Sequence, residues 1–103
     1  MARPGDRVGA VSHGKDGILY IFGYGTYEGD FVPDESAVGW AAEAAREVGV
    51  TNPKIRLDSG KTVWGCECWW GSEKAIQARC GQAKGVVVVD IDETRERIRN
   101  SSA

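Results

Sequence analysis

Residues 7–24, RVGAVSHGKDGILYIFGY, restrict the fold more than any other stretch of this chain. In the first arm Val8 and Ala10 share one face, and Gly9 and Val11 share the other. In the second arm Ile18, Tyr20, Phe22 and Tyr24 project to one face, and Leu19 and Ile21 to the opposite one. HGKDG between them is a turn cluster whose glycines accept positive φ without penalty. The pattern predicts an antiparallel hairpin.

GYGTYEGDFVP then reads as a glycine loop that leaves the sheet, with Pro33 ending any strand pairing. ESAVGWAAEAAREVG reads as an amphipathic helix. Val38, Ala41, Ala42, Ala44, Ala45 and Val48 fill one arc, Glu43, Arg46 and Glu47 the opposite one, and Trp40 the border. Gly49 is placed to end that helix, and Asn52-Pro53 breaks the chain again.

KIRL, DSG and KTVWGCECWW predict a second hairpin with a long second arm. Trp64, Cys66, Cys68 and Trp70 would share one face of that arm. SEKAIQARCG predicts a short helix capped by Ser72 and stopped by Gly81. The β-branched run VVVVDI reads as a central strand buried on both faces. The charged stretch from about residue 92 reads as a short helix with a frayed end. Together these segments predict a single compact α+β domain, with a mostly antiparallel sheet of about five strands, SH3-like or a roll. One amphipathic helix and one or two short helices accompany the sheet.

Composition narrows the function classes. The chain has 103 residues, with 13 basic and 15 acidic side chains, for a net charge of −2. That balance lacks the basic footprint of a binder of polymeric nucleic acid. MARPGDRVG carries no secretion signal, and no apolar run reaches membrane-spanning length. The three cysteines offer no disulfide framework. A cytoplasmic, reducing setting is the expectation that follows.

Three of four tryptophans and two of three cysteines fall within residues 61–71. Cys66, Cys68, Cys80 and His13 number enough for zinc, but two cysteines on one strand face stand roughly 6.5–7 Å apart. Zinc pairs come from tight turns instead, so the cysteines are read as small buried hydrophobes, and neither metal nor cofactor is expected. The single histidine lies in a glycine-rich turn, and thiols flanked by tryptophan should titrate high, which disfavours cysteine catalysis. Glu67, with Glu28 or Asp30 brought up by the glycine loop, supplies a weak carboxylate pair for a hydrolase. The glycine loop itself lacks the Lys-Ser/Thr ending of a phosphate-binding loop.

The aromatic inventory gives the leading reading. Trp64 and Trp40 are assigned to the core, and Trp69 or Trp70 to a surface groove. Trp69, Trp70, Tyr24 and Tyr27 would form a wall on which a planar ligand stacks, with Arg56 and Lys54 meeting its phosphate. A non-enzymatic binder of a nucleotide-like small molecule, acting as a homo-oligomer, is one expectation. A protein-interaction module that inhibits a host protein with the same Trp-rich strand is the other.

NPKIRLDSGKTVWGCECWWG, with GDRVGAVSHGKDGILYIFGYGTYEGDFVP, resembles small proteins of bacterial and bacteriophage genomes. The likeness runs from about Gly5 to Asp90 and carries no catalytic assignment. It implies a small intracellular domain that acts by stoichiometric binding, of a nucleotide signal of host immunity or of a host protein.

Overall fold

Asp16 and Gly17 both take positive φ, 55° and 82°, and so form the two-residue turn that suits the twist of a β-hairpin. They join β1 (Arg7–Lys15) to β2 (Ile18–Phe31), with Lys15 opposite Ile18. A computed structural model describes residues 2–102, apart from the side chain of Ser102.

β2 runs well past the predicted hairpin. GYGTYEGDF stays in the sheet and pairs with β3 (Asn52–Leu57), from Gly25 opposite Leu57 to Phe31 opposite Asn52. Its glycines serve a strand, where the sequence suggested a loop. Gly23 and Gly29 have φ of 123° and 115°, and the pairing shifts register next to Gly29. A Cβ on Gly25 would stand 2.2 Å from the carbonyl oxygen of Arg56, so two backbones meet there too closely for any side chain. Asn52-Pro53 begins β3 and does not break it, because Pro53 sits at the strand's start, where a missing N–H is tolerated.

The long Trp/Cys arm is also interrupted. β4 (Thr62–Trp64) pairs with β3, Gly65–Glu67 make a 3-10 turn, and β5 (Trp69–Ser72) then pairs with β1 on the far side of the sheet. The strand order is β4-β3-β2-β1-β5, with a 3-10 turn between the fourth and fifth strands. The fold is α+β as the sequence suggested.

Among the described residues, three α-helices accompany the sheet. α1 (Trp40–Val48) ends on Gly49, whose φ of 75° is left-handed and whose N–H reaches the Ala45 carbonyl. It buries Ala42 against Trp64 and also buries Ala45, but Trp40 points outward, 84% exposed, which corrects its assignment to the core. Trp40 is the helix's first residue and lies at the border of its apolar arc, so it has no turn of helix before it to cover its ring. α2 (Glu73–Gln82) starts on Ser72, whose Oγ accepts the Ala75 N–H, and it runs through Gly81 before ending. α3 (Ile91–Ser102) packs Ile91 and Arg95 inward.

β6 (Gly85–Val88) is not the central strand that its valines suggested. It runs parallel to β2 alone, beside Ile18–Ile21, and exposes Val86, Val87 and Val88 at the sheet's edge.

The main core gathers Val8, Ala10, Phe22, Tyr27, Ile55, Leu57, Val63 and Ile91. A second cluster under α2 holds Val11, Ile21 and Ile76, with Leu19, Tyr24 and Cys80 against it. Phe22 and Tyr24 therefore belong to different clusters, and the aromatic stripe read from alternation is broken at Gly23. Among the described residues, no helix is long and apolar enough to cross a membrane.

Candidate functional site

Neighbouring residues of a strand face opposite ways, and β5 turns that rule into a division of labour. Trp70 lies opposite Ala10 and stacks on Tyr27, with ring centroids 5.4 Å apart and planes within 13°. Trp69 lies opposite Val11 and faces the α2 side. Because α2 begins directly after β5, its seventh residue folds back over that side. The Arg79 guanidinium stands 4.9 Å from the Trp69 ring centroid. Trp69 remains 49% exposed.

This pair forms one wall of a cleft of about 380 Å³, whose other wall is the β1–β2 turn. Lys15 supplies a second cation, Ile18 and Leu19 an apolar floor, and Asp16 the single acid. The volume falls within the range of small-molecule sites. A larger depression of about 620 Å³ lies between α1 and α3, but Glu35 and Glu43 balance Arg46 and Arg99 there. Arg46 is further committed to the carbonyls of Asp34 and Ala37. The smaller cleft has the cationic excess and the open aromatic face.

The remaining residues of the expected wall lie elsewhere. Tyr24 sits under α2, its hydroxyl 3.6 Å from the Cys80 sulfur, and burial together with that contact pushes its ionisation up to about 12. Tyr27 is buried and donates to Asp30 at 2.6 Å, a bond that raises its pKa. Lys54 lies over the rings of Phe31 and Trp64, at 5.6 and 5.8 Å. Arg56 approaches Glu28 at 3.8 Å. The structure thus keeps Trp69 in a cleft and distributes Trp70, Tyr24, Tyr27, Arg56 and Lys54 among the core, the α2 contact and the outer face of β3.

The three candidate carboxylates are held by separate partners. Glu67 is tied down completely: its carboxylate, 3% exposed, accepts from Arg95 Nε at 2.8 Å and Arg95 Nη2 at 2.7 Å. The backbone N–H groups of Trp64 and Val38 complete its shell at 3.2 and 3.3 Å. Glu28 meets Arg56, and Asp30 meets Tyr27. A carboxylate closed in this way has no open lone pair for a substrate's proton.

Cys66 lies within the 3-10 turn, Cys68 directly after it and Cys80 in α2, so Cys66 and Cys68 do not share a strand face. Cys68 packs against the main core and donates its thiol to the Trp64 carbonyl at 3.4 Å, and burial pushes its pKa to about 12. Burial also raises Cys66. His13 is a strand residue, where the sequence suggested a turn, and it stacks on Tyr20 with centroids 4.5 Å apart. Among the described residues, no three His, Cys, Asp or Glu side chains gather in a way that would hold a metal ion.

Arg79 and Lys15 escaped the sequence reading. Arg79 is ten residues from Trp69, and only a turn directly from strand to helix brings the two together. The Ser72 cap, legible in the sequence, was the available signal. Comparison of the chain with protein-family models, curated proteins and solved structures finds no match in any of the three.

Proposed function

We propose that the protein is a non-enzymatic binding module that takes a planar, anionic, nucleotide-like small molecule in the cleft between Trp69, Arg79 and the β1–β2 turn. The observation that carries this reading is the exposed Trp69–Arg79 stack at 4.9 Å on the rim of a cleft that also holds Lys15. A flat ring gains by covering an indole face, and a phosphate gains by meeting a guanidinium, whose planar fork matches its oxygens. Both gains are available at one corner, and the lone opposing charge is Asp16. The closed shell of Glu67 supports binding over hydrolysis.

The test is a thermal-shift and tryptophan-fluorescence titration against mono-, di- and cyclic nucleotides. A ligand that binds only the folded state stabilises it by about 2.7 kcal/mol at a hundredfold excess over its dissociation constant. The shift should vanish in Trp69→Ala and Arg79→Ala. A flat response to every ligand contradicts the reading.

A second reading, a protein-interaction module, is favoured by Trp40. With Val48 and Val50, also exposed, it borders a groove of about 290 Å³ that contains no charged side chain. Exposed tryptophan is typical of interface hot spots, and an uncharged groove selects an apolar partner surface. This moves the interaction face from the Trp-rich strand to α1. Loss of a specific partner in Trp40→Ala with an unchanged melting temperature would support it, and equal retention by the variant would remove it.

A further inference from the structure

We propose that two copies of this chain associate through β6, pairing antiparallel about a two-fold axis at Val87 and joining their sheets into one. Among the described residues β6 pairs with β2 alone, so its outer edge presents unpaired backbone groups. Edge strands are normally guarded by charge, proline or a bulge. Gly85–Val89 contains no charged residue and no proline, and its pairing with β2 runs without a register shift. Val86, Val87 and Val88 are exposed, the last by 70%. Three adjacent β-branched side chains suit a strand with neighbours on both sides.

The backbone has the phase that such pairing needs. The N–H of Val89, directly after β6, donates to the Ile21 carbonyl at 2.8 Å, toward β2 and in register with the ladder. Strand groups alternate in direction, so the N–H and C=O of Val87 also point toward β2, and those of Val86 and Val88 point away from it. A pair centred on Val87 is then a non-hydrogen-bonded pair, flanked on each side by a Val86–Val88 pair in which the two copies exchange both bonds.

Charge selects a second copy over a foreign strand. Lys84 and Asp90 stand three residues to either side of Val87. An antiparallel pair centred there sets Lys84 of each copy opposite Asp90 of the other, with Val86 opposite Val88 between them. Among the described residues Lys84 has no ion pair, while the single Lys61 is shared between Asp90 at 2.6 Å and Asp92 at 3.0 Å. The edge therefore complements itself twice, at a cation without a partner and at a corner rich in carboxylate. This association does not depend on the ligand reading of the Trp69 cleft.

A pairing this short is smaller than a standard interface and belongs with transient contacts, so it is read across a concentration series. Sedimentation velocity from micromolar to millimolar protein should show the 11.1 kDa chain giving way to a species of twice that mass. Val87→Lys puts like charges at the axis, and Lys84→Glu sets Glu against Asp90; each should weaken the dimer at least tenfold. Both positions are exposed, so melting temperatures of the dilute variants should stay at the wild-type value. If Val87→Lys fails to fold, Lys84→Glu carries the test. Amide exchange at Val86 and Val88 should slow as concentration rises. A monomer at every concentration, or a dimer equally strong in both variants, overturns the proposal.

Discussion

Glu67 and Arg95 lie 28 residues apart and meet through two hydrogen bonds of 2.7 and 2.8 Å, with side chains 3% and 7% exposed. Arg95 also donates to the Thr62 carbonyl at 2.9 Å, and Glu67 receives the Val38 N–H. One ion pair therefore fastens α3, the end of β4, the 3-10 turn and the segment leading into α1.

Removing one member of such a pair leaves a buried charge without its partner, which costs about 3–5 kcal/mol. Glu67→Gln and Arg95→Met should each lower unfolding stability by that order in urea titration. The double variant should lose less than the sum of the two. Additive losses would mean that the pair is not coupled.

Two glycines give predictions of opposite sign. Gly25→Ala drives a methyl into the Arg56 carbonyl, a backbone atom that cannot move aside, and should cost about 3 kcal/mol, the upper end for overpacking. Gly81 lies inside α2 with open space around its Cα, and Gly81→Ala should stabilise by about 0.5–1 kcal/mol through helix propensity. Melting temperatures of the two variants against wild type check both signs.

The Cys68 thiol titrates near 9.0 when free and is pushed to about 12 in the fold by burial. Between those values the unfolded chain has lost the proton that the folded chain retains, so stability falls as pH rises through that window, by at most about 1.4 kcal/mol per unit. Tyr24, pushed from 10.0 to about 12, adds to the same slope at its upper end. Denaturant midpoints between pH 8.5 and 11 should decline in wild type and decline less steeply in Cys68→Ala. Iodoacetamide at pH 8 should label Cys68 slowly in the native protein and fast in urea.

What the sequence disclosed was local. The Asp16-Gly17 turn, the Ser72 cap and the Gly49 stop each depend on residues within one turn of the chain, and each stands in the structure. What it hid was tertiary. Gly25 and Gly29 look like loop glycines until β3 is laid against them, and the valines of β6 look central until their single neighbour is known. Alternation runs unbroken through KTVWGCECWW, and nothing local marks the 3-10 turn at Gly65–Glu67 that sends Trp69 and Trp70 to β1. Glu67 read as a candidate catalytic carboxylate because its partner, Arg95, arrives from a distant helix. Of the expected ligand wall the cleft retains Trp69, and its cations come from Arg79 and Lys15 instead.

The most direct test of the binding reading is isothermal titration of wild type, Trp69→Ala, Arg79→Ala and Trp40→Ala with whichever nucleotide gives the largest thermal shift. The account predicts saturable binding by wild type and by Trp40→Ala, at least tenfold weaker binding by Arg79→Ala, and none by Trp69→Ala. Equal affinity in all four proteins, or no heat with any nucleotide, would contradict it.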